Sequence, residues 1–582
     1  MDFVTEIAGL IATETGLPAA DIKPYIEVPP QSELGDFAFP CFRLAKTLRQ
    51  APPQIAADLA AKLTPLPPYL TKIVQAGGYL NFFIDRSILI QAAFELALAS
   101  DRDLGAGEEG RGKTVLIEYS SPNIAKPFHI GHGFTTILGE SLARIYDRLG
   151  YNTVRMNHLG DYGTQFGKLI VAYGIWGDDD RLEKEPIDEL LRIYVKFHQE
   201  AEHEMEISGK SELEERAREA FRRLEQGEAY ERELWQRFRD VSLQEFNRVY
   251  DRLGIHFDNL NGESFYSDRI PAVVTMLKEK GLLEESQGAQ VVRLDEEGLP
   301  PCIILKSDGT TIYASRDIAA VLYRDEKWHF DRNIYVVGLP QTLHFKQVFG
   351  VLRKAGYECA DRCRHIGFGT VKLPDGAIST RQGSVIKLDD LFNEAVNKCA
   401  AIIKANAEAR QDEMSAEEIQ EIAEKVGLGA VIYMFVKSSR ERDIVFKWDE
   451  VLDFDGDTAP YLQYTYARAK SILRRASAAD TDVPPTDIDC ALINSDTVFQ
   501  IARDIEAFGN TVRQAAETGE PFMVARQISQ IARAFNRFYN TDPILSTADR
   551  ELRRARLLVC RAVCRALREG LFLLGIETVE KM

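Results

Sequence analysis

The chain has 582 residues and a mass of 65.6 kDa, more than one hydrophobic core can organise, so three or four domains are expected. At 45% hydrophobic and 27% charged it has an ordinary globular composition, and no apolar run approaches bilayer-spanning length. A net charge of −18 argues against a uniformly basic nucleic-acid binder, although a basic stripe on an acidic body can still hold phosphate. The opening MDFVTEIAGLIATETG carries acids and no basic region, so no secretory signal is expected and a cytoplasmic location is. Eight scattered cysteines (41, 302, 359, 363, 399, 490, 560 and 564) form no C-x-x-C set, so neither zinc nor a disulfide framework is expected.

In chain order, residues 1–108 read as a first unit. LAKTLRQAPPQIAADLAAKL is helical on either side of a Pro52-Pro53 break, and Gly77-Gly78 turns into the apolar strand Tyr79-Leu80-Asn81-Phe82-Phe83. The Gly-rich, charged tract 101–113 is a linker. Thr114-Val115-Leu116-Ile117 then reads as a buried parallel strand, followed by EYSSPNIAKPFHIGHG. After His132 the residues Ile137, Leu138, Leu142, Ile145, Tyr146 and Leu149 recur at helical spacing. Strand, short loop and helix make the first unit of a nucleotide-binding α/β fold, with the ligand expected at the strand's carboxyl end. A helix N-terminus there offers N–H groups to phosphate, and Gly131 lets backbone approach closely. A bare H-x-G-H has little weight by itself, because loop histidines beside glycine are commonly caps.

Residues 176–260 are densely charged and read as a solvated helical hairpin inserted between two halves of the fold. The second half carries Ser307-Asp-Gly-Thr-Thr-Ile-Tyr-Ala-Ser-Arg-Asp317, the strand Asn333–Val337, the helix GLPQTLHFKQVFGVL, and the loop Ile378-Ser379-Thr380-Arg381-Gln382-Gly383. From 391 to 457 the pattern is helical, and 458–582 reads as long amphipathic helices around a 476–489 loop. Two basic stripes, Arg468/Lys470/Arg474/Arg475 and Arg550/Arg553/Arg554/Arg556/Arg561/Arg565/Arg568, are either solvated helix faces or local RNA contacts. Tyr461, Gln463, Tyr464, Tyr466 and Arg468 likewise suit either core packing or base stacking.

S-x-N-x-A-K before the two histidines, followed by His158-Leu-Gly-Asp-Tyr-Gly-Thr-Gln-Phe-Gly167, resembles the signature of class I aminoacyl-tRNA synthetases, and among them the arginyl family. The resemblance covers nearly the whole chain, with 118–167 and 307–383 as its specific stretches. It implies a Rossmann-type parallel-sheet catalytic domain (114–390, insertion about 176–260), an α+β N-terminal domain (1–108) that contacts the tRNA elbow, a helical connector (391–457) and an all-α anticodon-binding domain (458–582).

The same resemblance implies activation of L-arginine with ATP, accompanied by Mg2+ without a dedicated protein site, and transfer to tRNA(Arg). His129, His132, Lys126 and Arg381 would stabilise phosphate charge, with Gly131, Ser379 and Thr380 also at ATP. Asp317 and Tyr313, helped by Glu118, would address the guanidinium, because its planar donors call for a carboxylate fork. Asp317 is also placed to cap the helix that follows it. Ser121, Asn123 and Gln341 would line the amino-acid pocket, and Tyr461, Gln463, Tyr464 and Arg468 would meet tRNA. No editing domain is expected, since a site built on substrate hydrogen bonds rejects analogues by roughly 10⁴–10⁵. A monomer is the family habit. The chain departs from the class pattern twice: Ile378–Gly383 lacks the usual lysines, and Gly133-Phe134 follow the first motif where a branched residue and an arginine are common. A cysteinyl enzyme and a non-catalytic tRNA-binding relative are the alternatives; the former's cysteine-histidine zinc set is not visible.

Overall fold

The computed structural model describes residues 3–29, 31–307, 313–373, 376–377, 386–410 and 413–582. Two compact units emerge: residues up to Leu104 with Thr465–Phe508 and Ser529–Leu567, and Gly105–Tyr464 with Gly509–Ile528 and Arg568–Met582.

In the first unit, the helix Phe3–Thr15 buries Phe3, Ile7 and Ile11. An antiparallel sheet is built from Phe37–Pro40 (β1), Leu70–Ala76 (β2) and Tyr79–Ile84 (β3), in the order β1-β3-β2. Gly77 makes the β2–β3 turn at φ 59°, the left-handed region that glycine enters without cost. The Pro52-Pro53 pair starts the helix Pro52–Lys62, where the missing N–H of proline is harmless. Helices complete this unit. At its helical end, Asp480 collects Arg550 at 2.9 Å, Arg553 at 3.1 Å and Arg554 at 3.4 Å. Arg556 pairs with Asp542, Arg561 donates to the Val483 carbonyl and Arg565 pairs with Asp103. From Arg550 to Arg565 these guanidiniums are engaged by acids and carbonyls of the same unit, which bears on both readings of the Arg550–Arg568 stripe without deciding between them.

The second unit holds Thr114–Glu118 (β4), Asn152–Met156 (β5), the antiparallel meander Glu284–Ser286 (β6), Ala289–Leu294 (β7) and Leu299–Leu305 (β8), then Arg332–Gly338 (β9) and Cys363–Phe368 (β10). The main sheet is parallel, in the order β10-β9-β4-β5. Val115, Leu116 and Ile117 are fully buried, as a central strand covered on both faces requires. The helix Ile130–Arg148 carries the chain from β4 to β5, and Thr342–Lys354 carries it from β9 to β10. The chain thus leaves the central pair in opposite directions, which makes the carboxyl ends of β4 and β9 the sheet's topological switch point, where ligands of such folds bind.

The insertion is not a solvated hairpin. Pro186–Ser208, Glu212–Glu225 and Ala229–Leu253 are three long helices, and they bury Leu190, Ile193, Phe197, Leu213, Leu234, Phe238, Phe246 and Tyr250. Gly167 packs so closely on the second of them that a Cβ would stand 2.0 Å from the Ala217 carbonyl. Dense surface charge hid a narrow apolar face at helical spacing. Among the described residues no helix is long and apolar enough to cross a membrane. None of the eight cysteines is in a disulfide.

Gly139 sets how near the first helix lies to β4: a Cβ there would fall 2.2 Å from Cβ and Cγ of Tyr119. Replacing it with alanine gains about 1 kcal/mol of helix propensity. The overlap is with the root of a buried side chain, however, and forcing backbone shifts costs about 1–3 kcal/mol. Gly139→Ala is expected to lower the thermal unfolding midpoint by a few degrees despite the propensity gain, read by circular dichroism.

Candidate active site

Between β4 and the first helix, three non-glycine residues take left-handed backbone: Ser120 (φ 67°), Ser121 (φ 46°) and Ala125 (φ 61°). Such conformations cost about 1–3 kcal/mol each and persist only when the surroundings impose them. Here the surroundings do. Ser120 N donates to Thr135 Oγ1 at 3.3 Å, Ser121 N to Asn157 Oδ1 at 3.1 Å, and Ala125 N to Ser242 Oγ at 2.9 Å. The Ser120 hydroxyl lies 2.6 Å from that of Tyr250 and accepts from Thr136 Oγ1 at 2.8 Å. Gly160 pairs with Asn123, leaving no room for a side chain: a Cβ would sit 2.1 Å from Asn123 Oδ1.

The loop delivers His129 to the N-cap of the helix. Nδ1 of His129 accepts from Gly131 N at 3.1 Å, and Nδ1 of His132 accepts from His129 N at 3.2 Å. Both imidazoles are therefore Nδ1 acceptors, which puts each ring proton on Nε2. Their centroids lie 3.8 Å apart, and His132 stacks on Phe128 at 5.3 Å. Burial and the nearby Lys126 charge bring His129 down to about 4. Burial, then His129 and Lys126, hold His132 well below its usual value. Burial also lowers Lys126 itself. The rings are neutral at physiological pH.

The expectation of free helix N–H groups needs correction. Ile130 N donates to the Ile386 carbonyl at 3.3 Å, Gly131 N to the His129 ring, and His132 N to the His129 carbonyl at 2.8 Å. The donors left for a phosphate are the imidazole Nε2–H groups. Gly133, one of the two departures, makes room for Leu388: a Cβ would be 2.9 Å from Leu388 Cδ1.

Asp317 lies just past the first turn of the helix Tyr313–Trp328, and His344 Nε2 donates to its Oδ2 at 2.5 Å. Burial resists ionisation of Asp317, but the His344 hydrogen bond and the His344, His158 and Arg324 charges outweigh it and hold the carboxyl below its ordinary range. Being inside that helix, Asp317 is not its cap. Tyr313 is 63% exposed, with Arg316 5.0 Å from its ring. Gln341 and Asn123 are exposed and Ser121 is half-buried.

Glu118 is differently engaged from the sequence expectation: Arg324, fully buried, donates to its Oε2 at 2.5 Å. Sequence reasoning missed Arg324, His158, His344 and the buried pair Arg316–Glu263. His158 stands in a quoted motif and His344 two residues after Gln341-Thr342, but nothing local marks Arg324.

Ser379, Thr380 and Arg381 lie outside the described residues. Of the proposed tRNA contacts, Gln463 must be withdrawn. It has no exposed surface, and its Nε2 donates to the carbonyls of Lys425 at 3.0 Å and Glu577 at 2.7 Å. Arg468 is tied to Asn536 at 2.6 Å and lies 4.8 Å from the Tyr539 ring, while Tyr461 and Tyr464 are half-buried.

A parallel sheet with a switch point between β4 and β9, and a histidine-capped helix following β4, suit a class I tRNA synthetase, and the family described as tRNA synthetases class I (R), catalytic domain, matches residues 94–448. The Arginyl tRNA synthetase N terminal domain matches 3–84 and the DALR anticodon binding domain 462–582. Arginine–tRNA ligases of Clostridium botulinum (strain Okra / Type B1) and Clostridium beijerinckii are 49% and 48% identical, each over all 582 residues and the whole of both chains. The solved Thermus thermophilus arginyl-tRNA synthetase superposes with a TM-score of 0.80 at 28% identity, over 100% of this chain and 99% of that one. The chain belongs to the arginyl-tRNA synthetase family.

The capping geometry has a consequence for stability. The folded chain refuses a proton at His129 that the unfolded chain takes up, so stability falls as pH drops from 6.5 towards about 4. His129→Asn keeps a cap acceptor and removes the titration. Its stability relative to the parent is expected to improve steadily from pH 7 to pH 5, measured by urea unfolding; a constant difference would contradict neutral capping.

Proposed function

We propose that the chain is an arginine–tRNA ligase. The carboxylate of L-arginine attacks the α-phosphate of ATP and diphosphate leaves; the 2′-hydroxyl of the terminal adenosine of tRNA(Arg) then takes the arginyl group from the adenylate, and AMP leaves. The observations that support this reading most are the two neutral, Nε2-protonated imidazoles in the turn after β4 and the ionised Asp317, tied electrostatically to Arg324, which bonds Glu118 at the end of that same strand.

No covalent protein intermediate is needed. Nε2–H of His129 and His132 donate to phosphate oxygens, and Lys126 supplies a cation whose own burial strengthens its field. Arg381, Ser379 and Thr380 are proposed at the same phosphates, with Mg2+ arriving on ATP. Gly131 lets the nucleotide approach the helix start.

Asp317 receives the substrate guanidinium. His344 orients its carboxylate through Oδ2, which retains acceptor capacity alongside Oδ1, so both oxygens can face a fork of N–H donors. Lysine offers one point charge and cannot use both in one plane. Tyr313 offers an aromatic face and Asn123, Ser121 and Gln341 the polar rim. Glu118 contributes indirectly, by holding Arg324 beneath the pocket.

For tRNA we propose elbow contact by 1–108, anticodon contact by 458–582, and the connector 391–457 between them in sequence. On the first unit, Phe42 and Tyr79 are exposed and meet edge to face at 5.6 Å, a surface suited to unstacked bases. A cytoplasmic monomer completes the proposal.

ATP–diphosphate exchange, run with arginine or cysteine and with or without tRNA(Arg), tests the activity. Arginine-dependent exchange is expected; its absence under every condition, with tRNA still bound, would favour a non-catalytic relative. Asp317→Asn removes a charge-assisted hydrogen bond of about 1.5–3 kcal/mol and should raise the KM for arginine on the order of 10–100-fold, with the ATP KM little changed. Phe42→Ala with Tyr79→Ala should raise the KM for tRNA(Arg) about tenfold in aminoacylation, with kcat preserved at saturating tRNA, since each stacked base is worth about 1–3 kcal/mol.

A further inference from the structure

The segment 386–388 is bound to the histidine turn by backbone. The Ile386 carbonyl accepts from Ile130 N at 3.3 Å, Leu388 N donates to the Phe128 carbonyl at 2.8 Å, and Lys387 bridges His129 in antiparallel fashion. Leu388 fills the space left by Gly133 and is fully buried. His129 is therefore gripped from two sides, by its own helix and by this segment.

What holds the segment comes from the inserted helices. Lys387 Nζ donates to both carboxylate oxygens of Asp188, at 2.6 and 2.8 Å, in the first turn of Pro186–Ser208. Asp389 accepts from Arg252 Nη1 at 2.8 Å and from Arg248, both on Ala229–Leu253. Arg252 is itself fixed by Glu424 at 2.6 Å. The same helix supplies Ser242 and Tyr250, which hold Ala125 and Ser120 on the other side of the histidines. Lys387 and Asp188 are each about two-fifths exposed, and an exposed pair of this kind adds little to stability. Its bidentate geometry, one residue from the backbone bond to Ile130, gives it a positional role.

We propose that Asp188, Arg248 and Arg252 are positioning residues for the phosphate site: through Lys387 and Asp389 they fix 386–388 against the His129 turn and so set the direction of both imidazole Nε2–H groups. The inference rests on the reading of His129 and His132 as phosphate donors. The inserted helices are then a strut for ATP chemistry, reaching the histidines from the 120–128 loop and from 386–389 at once.

The test uses the full chain with Asp188→Ala, Arg252→Met and the exchanged pair Asp188→Lys/Lys387→Asp. Steady-state exchange gives kcat and the KM values for ATP and arginine separately. Calorimetry gives the affinity for a non-hydrolysable ATP analogue without relying on turnover, and circular dichroism the unfolding midpoint. Asp188→Ala and Arg252→Met are expected to weaken the ATP terms, in KM or in analogue affinity, roughly tenfold. The arginine KM should hold within twofold, the Asp188→Ala midpoint should stay at the parental value, and the exchanged pair should recover most of the Asp188→Ala loss. A parent inactive with arginine that binds the analogue refutes the ligase reading, and analogue affinities then still decide this one. ATP terms unchanged within twofold in both single variants, or equal losses for ATP and arginine, overturn the positioning role.

Discussion

Each imidazole of the histidine turn has two nitrogens with opposite duties, and the site depends on that division. Nδ1 accepts a backbone N–H that the helix start would otherwise leave unpaired, and Nε2 carries the proton outward. A protonated ring has no acceptor, so charging either one would break its cap. Burial, the 3.8 Å ring separation and Lys126 all push the same way, against protonation. In the proposed phosphate site, positive charge would come from lysine or arginine, while the histidines would supply direction. Capping and the proposed phosphate binding thus share one geometry, and the left-handed residues upstream are the strain that brings His129 to its place.

The proposed arginine pocket follows a second electrostatic rule. Each carboxylate of its floor has a nitrogen donor as partner: Glu118 with Arg324, Glu263 with Arg316, Asp317 with His344. A buried charge without a partner would cost several kcal/mol, so each is matched. The pairs differ in exposure. The side chain of Glu118 is 8% exposed and that of Arg324 1%, whereas Asp317 retains 25% and has a neighbour that leaves most of its acceptor capacity open. That asymmetry singles out Asp317 among three acids as the one able to take a guanidinium from outside. Arg324 serves it from below, as one of the charges that keep it ionised.

The parts of this arrangement that were legible in the sequence are local. Strand Thr114–Glu118, the histidine helix, strand Arg332–Gly338 and the helix after it all follow from periodicity, and the histidines and Asp317 from short motifs. Contacts between distant segments were not legible. Glu118 and Arg324 stand 206 positions apart, Lys387 and Asp188 199, and no pattern in either segment names its partner. Gln463 misled because an amide among tyrosines reads as polar surface; here it closes two backbone carbonyls inside a helix packing. The inserted helices misled for the opposite reason, since their buried residues are few per turn and the charges between them dominate any average.

The same distance effect explains why the net charge of −18 is a poor guide to RNA binding in this chain. Counting arginines along Arg550–Arg568 suggests a polyanion-binding helix. In space Asp480 alone gathers three of them, and its carboxyl is brought down to about 2, with the Arg550 hydrogen bond the leading cause. Guanidiniums already matched by acids release few counterions when a phosphate arrives, and salt dependence counts only the cations newly neutralised by RNA. Recognition by such a surface must lean on stacking and shape more than on charge. The exposed Phe42–Tyr79 pair has that character, and it sits on the unit whose helical end carries the self-neutralised stripe.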